Sequence, residues 1–472
     1  MWQERIQPRP TGSIRKTIHY ILEALLARNG TTAYIPIILV TIFMFCGASW
    51  QVFWSTTDAA RYQCYALSFW FGSNGIKLLP ESQCAFLHLT AAQPPFHLLP
   101  VEYPPLTLAV FSLALLLPLA YYQVAFAVLM SLVSVLIYWL LLRYGPRGAA
   151  LTFATYIFIG ALATAQGRFD LIPAALTLLC VIAAERKHWT TAYVALAFGV
   201  LLKLYPLLLL PGLFIAEQQV TERLHIPAKS LTFRSLLSQL GYTAHGITNW
   251  RWQNFLIFLG IILGVSGAFS LLNFQGAVVN QLSYFTQRPI QIEATASTVL
   301  WLAHNFGQPF QVIYSYGSLN SLSSLSGIVG GASTVLLIAG YACILWQQWR
   351  GRLDITQTMI AFLFIFIATG KVFSPQYLIW LIPLLTYAGA FDTFWLFCWG
   401  SVSVLTTFIY SYLYAHLSNP QLIYHIPGFF ETIATRNAFF VLITLAYLFN
   451  WYQARQRKLL PPSPTGKETR PL

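Results

Sequence analysis

Six short polar stretches interrupt an otherwise apolar chain, and they carry the residue types that hold phosphate oxygens and move protons. They are Thr57-Asp58-Ala59-Ala60-Arg61, Val101-Glu102-Tyr103-Pro104-Pro105-Leu106, Gln166-Gly167-Arg168-Phe169-Asp170, Leu202-Lys203-Leu204-Tyr205-Pro206, Arg288-Pro289-Ile290-Gln291-Ile292-Glu293 and Gly370-Lys371-Val372-Phe373-Ser374-Pro375-Gln376-Tyr377. Arginine and lysine are the side chains that grip phosphate. A carboxylate beside them can act as general base toward a hydroxyl. Together they suit sugar transfer from a lipid phosphosugar: a base activates the acceptor hydroxyl, and cations take up the charge of the departing phosphate. A phosphate leaves readily, so no general acid is required.

Each residue also has a plainer explanation. Asp58 can cap a loop helix, and Arg168 and Asp170 can satisfy one another. Glu102 can set the turn before Pro104-Pro105. Lys203 and Lys371 can extend to lipid headgroups without binding anything. Arg288 can be a solvated loop arginine. The grouping of these stretches, more than any one residue, argues for a site.

The elements that must position them are membrane helices. Of the 472 residues, 57% are hydrophobic and only 9% charged, with a mean hydropathy of +0.61. A soluble domain carries about 25% charged residues to wet its surface. Apolar runs such as 33–54, 121–142 and 255–272 approach the ~20 residues that cross a bilayer as helix. In lipid the backbone must satisfy itself, which leaves helices and closed barrels. The alternating segments of a barrel are absent. The fold expected is all-α and polytopic. The +13 net charge is explained by cytoplasmic loops and does not call for a nucleic-acid partner.

Charge fixes an expected topology. The first thirty residues are basic and lack a leader-like apolar core, so they read as a cytoplasmic segment ahead of an anchor helix over 33–54. A long external loop, 55–120, follows. The stretch 104–142 could cross twice, but then Arg143, Arg147, Arg186 and Lys187 would all fall outside. One crossing over 120–142, with 104–118 lying amphipathically at the interface and ending at Pro118, keeps them inside. Further spans fall near 149–165, 171–185, 190–203, 205–217, 253–272, 323–347, 355–370, 376–390, 394–414 and 437–453, about twelve in all, with both termini cytoplasmic. External segments then hold seven basic and six acidic residues, leaving 20 and 8 inside. Residues 1–454 form one domain, with 218–252 an interfacial loop and 455–472 a disordered tail. Cys46, Cys180, Cys343 and Cys398 sit in apolar runs as packing residues. Cys64 and Cys84 share the external loop and could pair in an oxidising compartment.

In order and spacing these stretches resemble the C-type superfamily of integral membrane glycosyltransferases, and more narrowly its bacterial polyprenyl-phosphate-mannose-dependent mannosyltransferases. The resemblance runs from the Asp58 loop to Lys371-Val372-Phe373-Ser374-Pro375-Gln376-Tyr377. It implies a C-type fold with amphipathic helices in the first external loop, and an inverting hexosyl transfer, of mannose in the narrower family. The donor is a polyprenyl-phosphate sugar, the acceptor a glycolipid or lipid-linked glycan, and the site faces outward from a bacterial plasma membrane. The family's first-loop acid, its catalytic base, falls on Asp58. Lys203, Arg288, Lys371 and Arg168 are the candidate donor-phosphate ligands. Glu102, Tyr103, Gln166, Asp170, Tyr205, Gln291, Glu293 and Gln376 are the candidate substrate-binding residues. Relatives often carry Gly-Gln-x-x-Asp/Asn where this chain has Gln166-Gly167-Arg168-Phe169-Asp170, so Asp170 is expected near the site without a defined role. No cofactor is expected, and no metal, since enzymes using lipid monophosphate donors generally need none.

A transporter or lipid flippase is the competing reading. It would place ionisable groups near the midplane of paired, Gly/Pro-interrupted halves. This sequence shows no such pairing. Nothing positive suggests a scaffold without activity.

Overall fold

The computed structural model describes residues 30–47, 57–87, 92–162, 164–221, 249–389, 393–417 and 420–459. The expected cytoplasmic N-terminal segment, most of the 218–252 loop and all but the first residues of the 455–472 tail lie outside them.

The chain is built of helices, in the order α1 (Ile35–Gly47), α2 (Asp58–Phe71), α3 (Thr107–Leu113), α4 (Tyr122–Tyr144), α5 (Ala149–Ala161), α6 (Leu171–Glu185), α7 (Trp189–Leu202) and α8 (Leu210–Val220). These are followed by α9 (Gln253–Phe274), α10 (Asn280–Gln287), α11 (Thr295–His304), α12 (Ser326–Trp349), α13 (Ile355–Thr369), α14 (Tyr377–Tyr387), α15 (Thr393–Phe408) and α16 (Phe429–Leu459). Five stretches are long and apolar enough to cross a bilayer unaided: Leu119–Tyr144, Gln253–Gln287, Ser326–Trp349, Trp395–His416 and Phe429–Leu448. The protein is embedded in a membrane.

About twelve spans were expected; among the described residues these five meet the length of an unaided crossing. The other apolar runs do form helices, but short ones, from 11 residues in α14 to 15 in α6 and α13. Much of their apolar surface faces other helices, where Phe153, Leu178, Leu196, Phe362 and Leu381 are fully buried, while α1 also turns Ile42 and Phe43 outward. The span expected over 205–217 is instead a 3-10 turn, Tyr205–Leu209, feeding α8. The last span begins at Phe429, not 437. By contrast α9 and α12 turn apolar side chains outward, with Leu271 91% and Ile328 72% exposed. That is the surface of helices solvated by lipid.

The loop after α1 lies as expected on one end of the bundle. Thr57 caps α2, its hydroxyl accepting the Ala60 N–H, so Asp58 is not the cap. The helix buries Tyr62, Tyr65 and Ala66 and stops at Gly72, whose φ of 60° suits glycine. A Cβ there would lie 2.2 Å from the Gln93 carbonyl oxygen. α3 tightens into the 3-10 turn Ala114–Leu116 ahead of Pro118. Leu113, Leu116 and Leu117 are exposed. Tyr62 stacks on Phe111 at 4.2 Å and meets Phe169 edge-on at 5.6 Å, tying α2 and α3 to the turn before α6.

From α4 to α7 the chain runs up and down four times. The start of α4, near which Gln123 accepts the Thr57 hydroxyl proton, and the turns at 166–170 and 203–205 share one end. Arg143 closes α4 at the other end, where Arg186 lies 4.4 Å over the Tyr144 ring. Arg143 and Arg186 thus lie at the end of the bundle opposite the polar stretches.

The all-α expectation misses one small element. A three-stranded antiparallel sheet, β1 (Ile290–Gln291), β2 (Gln311–Ser315) and β3 (Ser318–Leu322), is ordered β1-β3-β2, with Ile290 opposite Ser321. The β2–β3 hairpin turns on Tyr316 and Gly317, with φ of 53° and 68°. Positive φ at both central residues is the requirement of a two-residue hairpin turn.

Cys64 and Cys84 are joined by a disulfide across 20 residues. It ties α2 to the turn Glu81–Cys84, where Gln83 also donates to the Ala60 carbonyl. Replacing both cysteines by serine is expected to cost about 3 kcal/mol from the loop-closure entropy alone. It should appear as a lowered melting temperature in detergent, and an unchanged melt would show that the loop is held without the bond.

Candidate functional site

At the polar end of the bundle, ion pairs join segments far apart in sequence. Arg168 Nη2 lies 2.7 Å from Asp58 Oδ2, and Lys203 Nζ lies 2.5 Å from Asp170 Oδ1. Arg61 pairs with Glu102, and Arg436 Nη1 lies 3.0 Å from Glu293 Oε2. The local Arg168–Asp170 pair considered from sequence does not form. Asp170 directs its carboxylate to Lys203 and to the Trp380 indole N–H, which donates at 2.6 Å.

The pairs surround a cavity of about 610 Å³. Its charged walls are Asp58, Arg61, Glu102, Arg168, Lys203, Arg288 and Glu293. Of the four paired carboxylates, Asp58 is the most accessible, with 21% of its side chain exposed against 12% for Glu102, 3% for Glu293 and 1% for Asp170. It is the carboxylate most open to whatever occupies the cavity. Among the described cavity cations, Arg288 alone has no carboxylate partner. It donates to Ser318 Oγ at 3.0 Å and lies 5.4 Å over the Tyr284 ring.

Burial sets the electrostatics of the paired groups. It pushes the Glu102 carboxyl above the usual range, and Arg61 only partly opposes the shift. It lowers Lys203, against the pull of Asp170. The Lys203 ammonium also lies 4.9 Å from the Phe169 ring and 5.3 Å from Trp380, a cation–π cage. Trp380 is in turn sandwiched by Tyr205 at 4.2 Å and Tyr377 at 3.9 Å.

Tyr103, Tyr205, Gln291 and Gln376 also line the cavity. Gln291 receives the Phe373 N–H on its side chain and gives its own backbone N–H to the Lys371 carbonyl. Gln376 accepts the Ser374 hydroxyl proton. Asp170 stands one layer behind the wall, reaching the cavity through Lys203. Two residues assigned to the site on sequence stand elsewhere. Gln166 is buried, donating to the Thr41 carbonyl and Ser131 Oγ, which ties α1 to α4 and the turn before α6. Lys371 is not on the cavity wall; its side chain is exposed, and it meets the site only through its backbone carbonyl. Arg168, assigned to phosphate, does line the cavity, but its nearest partner is Asp58.

Sequence reasoning missed Arg436, Tyr410, Tyr414, Trp380 and the hairpin tip. Tyr410 accepts from Arg168 Nη2 at 3.3 Å, and Tyr414 donates to Glu293. Gly317 is packed so that a Cβ would lie 3.2 Å from both Arg61 Nη1 and Glu102 Oε1. Tyr316-Gly317 between polar, β-compatible residues was the one available signal for that hairpin. Among the described residues no group of three or more His, Cys, Asp or Glu side chains is arranged to hold a metal ion.

The fold and site define a class: a membrane-embedded helical protein whose polar end encloses a charged cavity with one accessible carboxylate. Comparison with known families finds no matching family model, and comparison with curated proteins finds no match.

Two outcomes follow from this geometry. Arg436→Met strands the buried Glu293 charge and should cost roughly 3–5 kcal/mol; the double change Arg436→Met/Glu293→Leu should recover much of it in a thermal melt. Gly317→Ala forces a β-carbon into left-handed backbone beside the Arg61–Glu102 pair. It should cost about 1–2 kcal/mol, read in the same melt.

Proposed function

We propose that this protein is a membrane glycosyltransferase that moves a hexose, mannose by the family resemblance, from a polyprenyl-phosphate carrier to a hydroxyl acceptor, with inversion. The observation that carries the reading is the charge balance of the cavity. Each carboxylate on it is matched to a cation, Asp58 is the accessible one, and Arg288 is left over. One unmatched arginine suits a phosphodiester, which bears a single negative charge.

In the reaction the acceptor hydroxyl gives its proton to the Asp58 carboxylate. Its oxygen bonds to the anomeric carbon from the face opposite the phosphate. The bond from that carbon to the phosphate oxygen breaks, and its electron pair leaves on the polyprenyl phosphate. Arg288 takes up the charge gained there. Arg168 fixes the position of the Asp58 carboxylate, and Lys203 is held in reserve by Asp170 on the same wall. The aromatic faces of Tyr377 and Trp380 and the apolar side chains of Leu204 and Leu208 give the cavity a lining suited to the lipid end of the donor.

The disulfide supports the expected sidedness. A stable Cys64–Cys84 bond requires an oxidising compartment, which fits an outward-facing loop beside Asp58. The basic end of the bundle would then face the cytoplasm of a bacterial cell.

The test uses purified protein in nanodiscs with polyprenyl-phosphate mannose and candidate glycolipid acceptors. Asp58→Asn should lower transfer by about 10²–10⁴-fold while the protein stays folded. Arg288→Ala should raise the donor KM by roughly 10- to 150-fold, the cost of a hydrogen bond to a charged group. Undiminished transfer by the Asp58 variant would defeat the assignment.

A further inference from the structure

The end of the bundle away from the cavity carries a second grouping of charge, and the proposed reaction uses none of it. Arg143 closes α4 and Arg186 follows α6, two helices that pack against each other. Both guanidinium groups lie against one ring, that of Tyr144, Arg186 at 4.4 Å and Arg143 at 5.9 Å. Both residues are exposed, as are Arg147 and Lys187 in the turns that follow. Neither Arg143 nor Arg186 is paired with a carboxylate among the described residues. The acid beside Arg186 in sequence, Glu185, is engaged elsewhere, accepting the hydroxyl protons of Thr356 and Tyr387. Nor do the arginines serve as helix caps. Backbone N–H groups meet the last carbonyls of both helices, Gly145 donating to Leu141, Arg186 to Ile182 and His188 to Ala183. Two cations without a counter-charge are therefore left exposed on one aromatic ring.

The face of α4 that leads to Arg143 is apolar and narrow. Its exposed residues are Val128, Leu132, Leu136 and Trp139, spaced by four, four and three, and Arg143 continues the series four residues on. That spacing puts all five on one helix face. Residues between them, such as Met130, Ser134 and Ile137, are buried. From Leu132 to Arg143 the helix rises roughly 16 Å at 1.5 Å per residue, about half of the ~30 Å hydrocarbon layer. One leaflet has that depth. Trp139 is 41% exposed and lies 6.2 Å from the Tyr144 ring, one turn short of the arginine. An indole at that level is typical of the boundary between hydrocarbon and headgroups.

We infer that α4 and α6 form a binding site for an anionic phospholipid of the leaflet on that side, with an acyl chain along the α4 stripe and the phosphate against Arg143 and Arg186. The inference does not rest on the transferase reading, since this lipid is neither donor nor acceptor. A free phosphate ester would satisfy the arginines but leave the stripe and Trp139 without a role. A zwitterionic headgroup would bring a cation of its own against them, whereas basic pockets between helices suit headgroups of net negative charge. A phosphate there gives the guanidinium groups charge-assisted hydrogen bonds, which the Tyr144 ring cannot supply. Holding a lipid at Arg143 fixes the depth of α4 in the bilayer. The other end of the same helix carries Gln123, which accepts the Thr57 hydroxyl proton beside Asp58.

The test is native mass spectrometry of the full chain, measuring affinity for phosphatidylglycerol, for phosphatidylcholine with the same acyl chains, and for glycerol 3-phosphate. Phosphatidylglycerol should bind about 30-fold more tightly than phosphatidylcholine, from about fivefold for each arginine near the surface. Glycerol 3-phosphate, lacking the chains, should bind at least roughly tenfold more weakly than phosphatidylglycerol. Arg143→Gln/Arg186→Gln should reduce phosphatidylglycerol to the level of phosphatidylcholine. Arg143→Lys/Arg186→Lys keeps both charges and should retain most of the preference, which separates loss of charge from misfolding. Arg350→Gln/Arg352→Gln removes two cations from the turn between α12 and α13 and should leave the preference nearly intact. Equal affinity for the two phospholipids would overturn the inference, as would a preference that survives the glutamine pair at Arg143 and Arg186. A loss as large in the lysine pair would show that charge does not hold the lipid, and a loss as large in the Arg350 and Arg352 pair would show diffuse attraction with no site; either overturns it. Glycerol 3-phosphate binding as tightly as phosphatidylglycerol would make this a site for free phosphate esters and overturn the lipid assignment.

Discussion

A carboxylate removed from water must find a counter-charge, and four such carboxylates organise this molecule's polar end. The penalty for isolating an ion in a low-dielectric interior is several kcal/mol even after relaxation. Asp58, Glu102, Asp170 and Glu293 therefore act as fixed points to which Arg168, Arg61, Lys203 and Arg436 are drawn. Each pair joins segments that the sequence keeps apart, from 33 residues for Asp170–Lys203 to 143 for Glu293–Arg436. The last helix, the small sheet, the first loop and the turns of the bundle are bound into one wall by that requirement. Arg288 stands out because the same accounting leaves it without a carboxylate.

Aromatic packing complements the ionic pairing. Tyr62, Phe111 and Phe169 lock helices α2 and α3 to the turn carrying Arg168. Tyr205, Trp380 and Tyr377 form a stack beneath Lys203 and Asp170. Rings serve here because they bury large area while an indole N–H or phenol O–H still reaches a polar partner. Trp380 does both, packing between two tyrosines while its indole N–H meets Asp170.

The polar stretches were legible in the sequence because ionisable residues are conspicuous in a chain with so few of them. Charge counting located one end of the bundle for the same reason: Arg143 and Arg186 really do meet around Tyr144. Ion-pair partners were not legible, since proximity in sequence suggested Arg168 with Asp170 while the turn sends them to different neighbours. Arg436 was counted only as an external charge, because nothing in a helical stretch announces that it will be drawn to residue 293. The shortness of several apolar helices was not legible, because hydropathy reports burial from water, and lipid and protein satisfy it equally. The sheet escaped notice because its strands are only two to five residues long and β3 is rich in Ser and Asn, poor strand signals on composition.

The shortness of the inner helices has a mechanical consequence for the surrounding lipid. Helices of 11–15 residues are about 17–23 Å long at 1.5 Å per residue, against a hydrocarbon layer of ~30 Å. Where α5, α6, α7, α13 and α14 cluster, the protein cannot match that thickness. The mismatch is met by bilayer thinning or by a recess in the protein's surface, at a fraction of a kcal/mol per Å. On the transferase reading, either adjustment shortens the path by which a lipid with a polar head passes from the hydrocarbon layer to the cavity walled by Asp58 and Arg288.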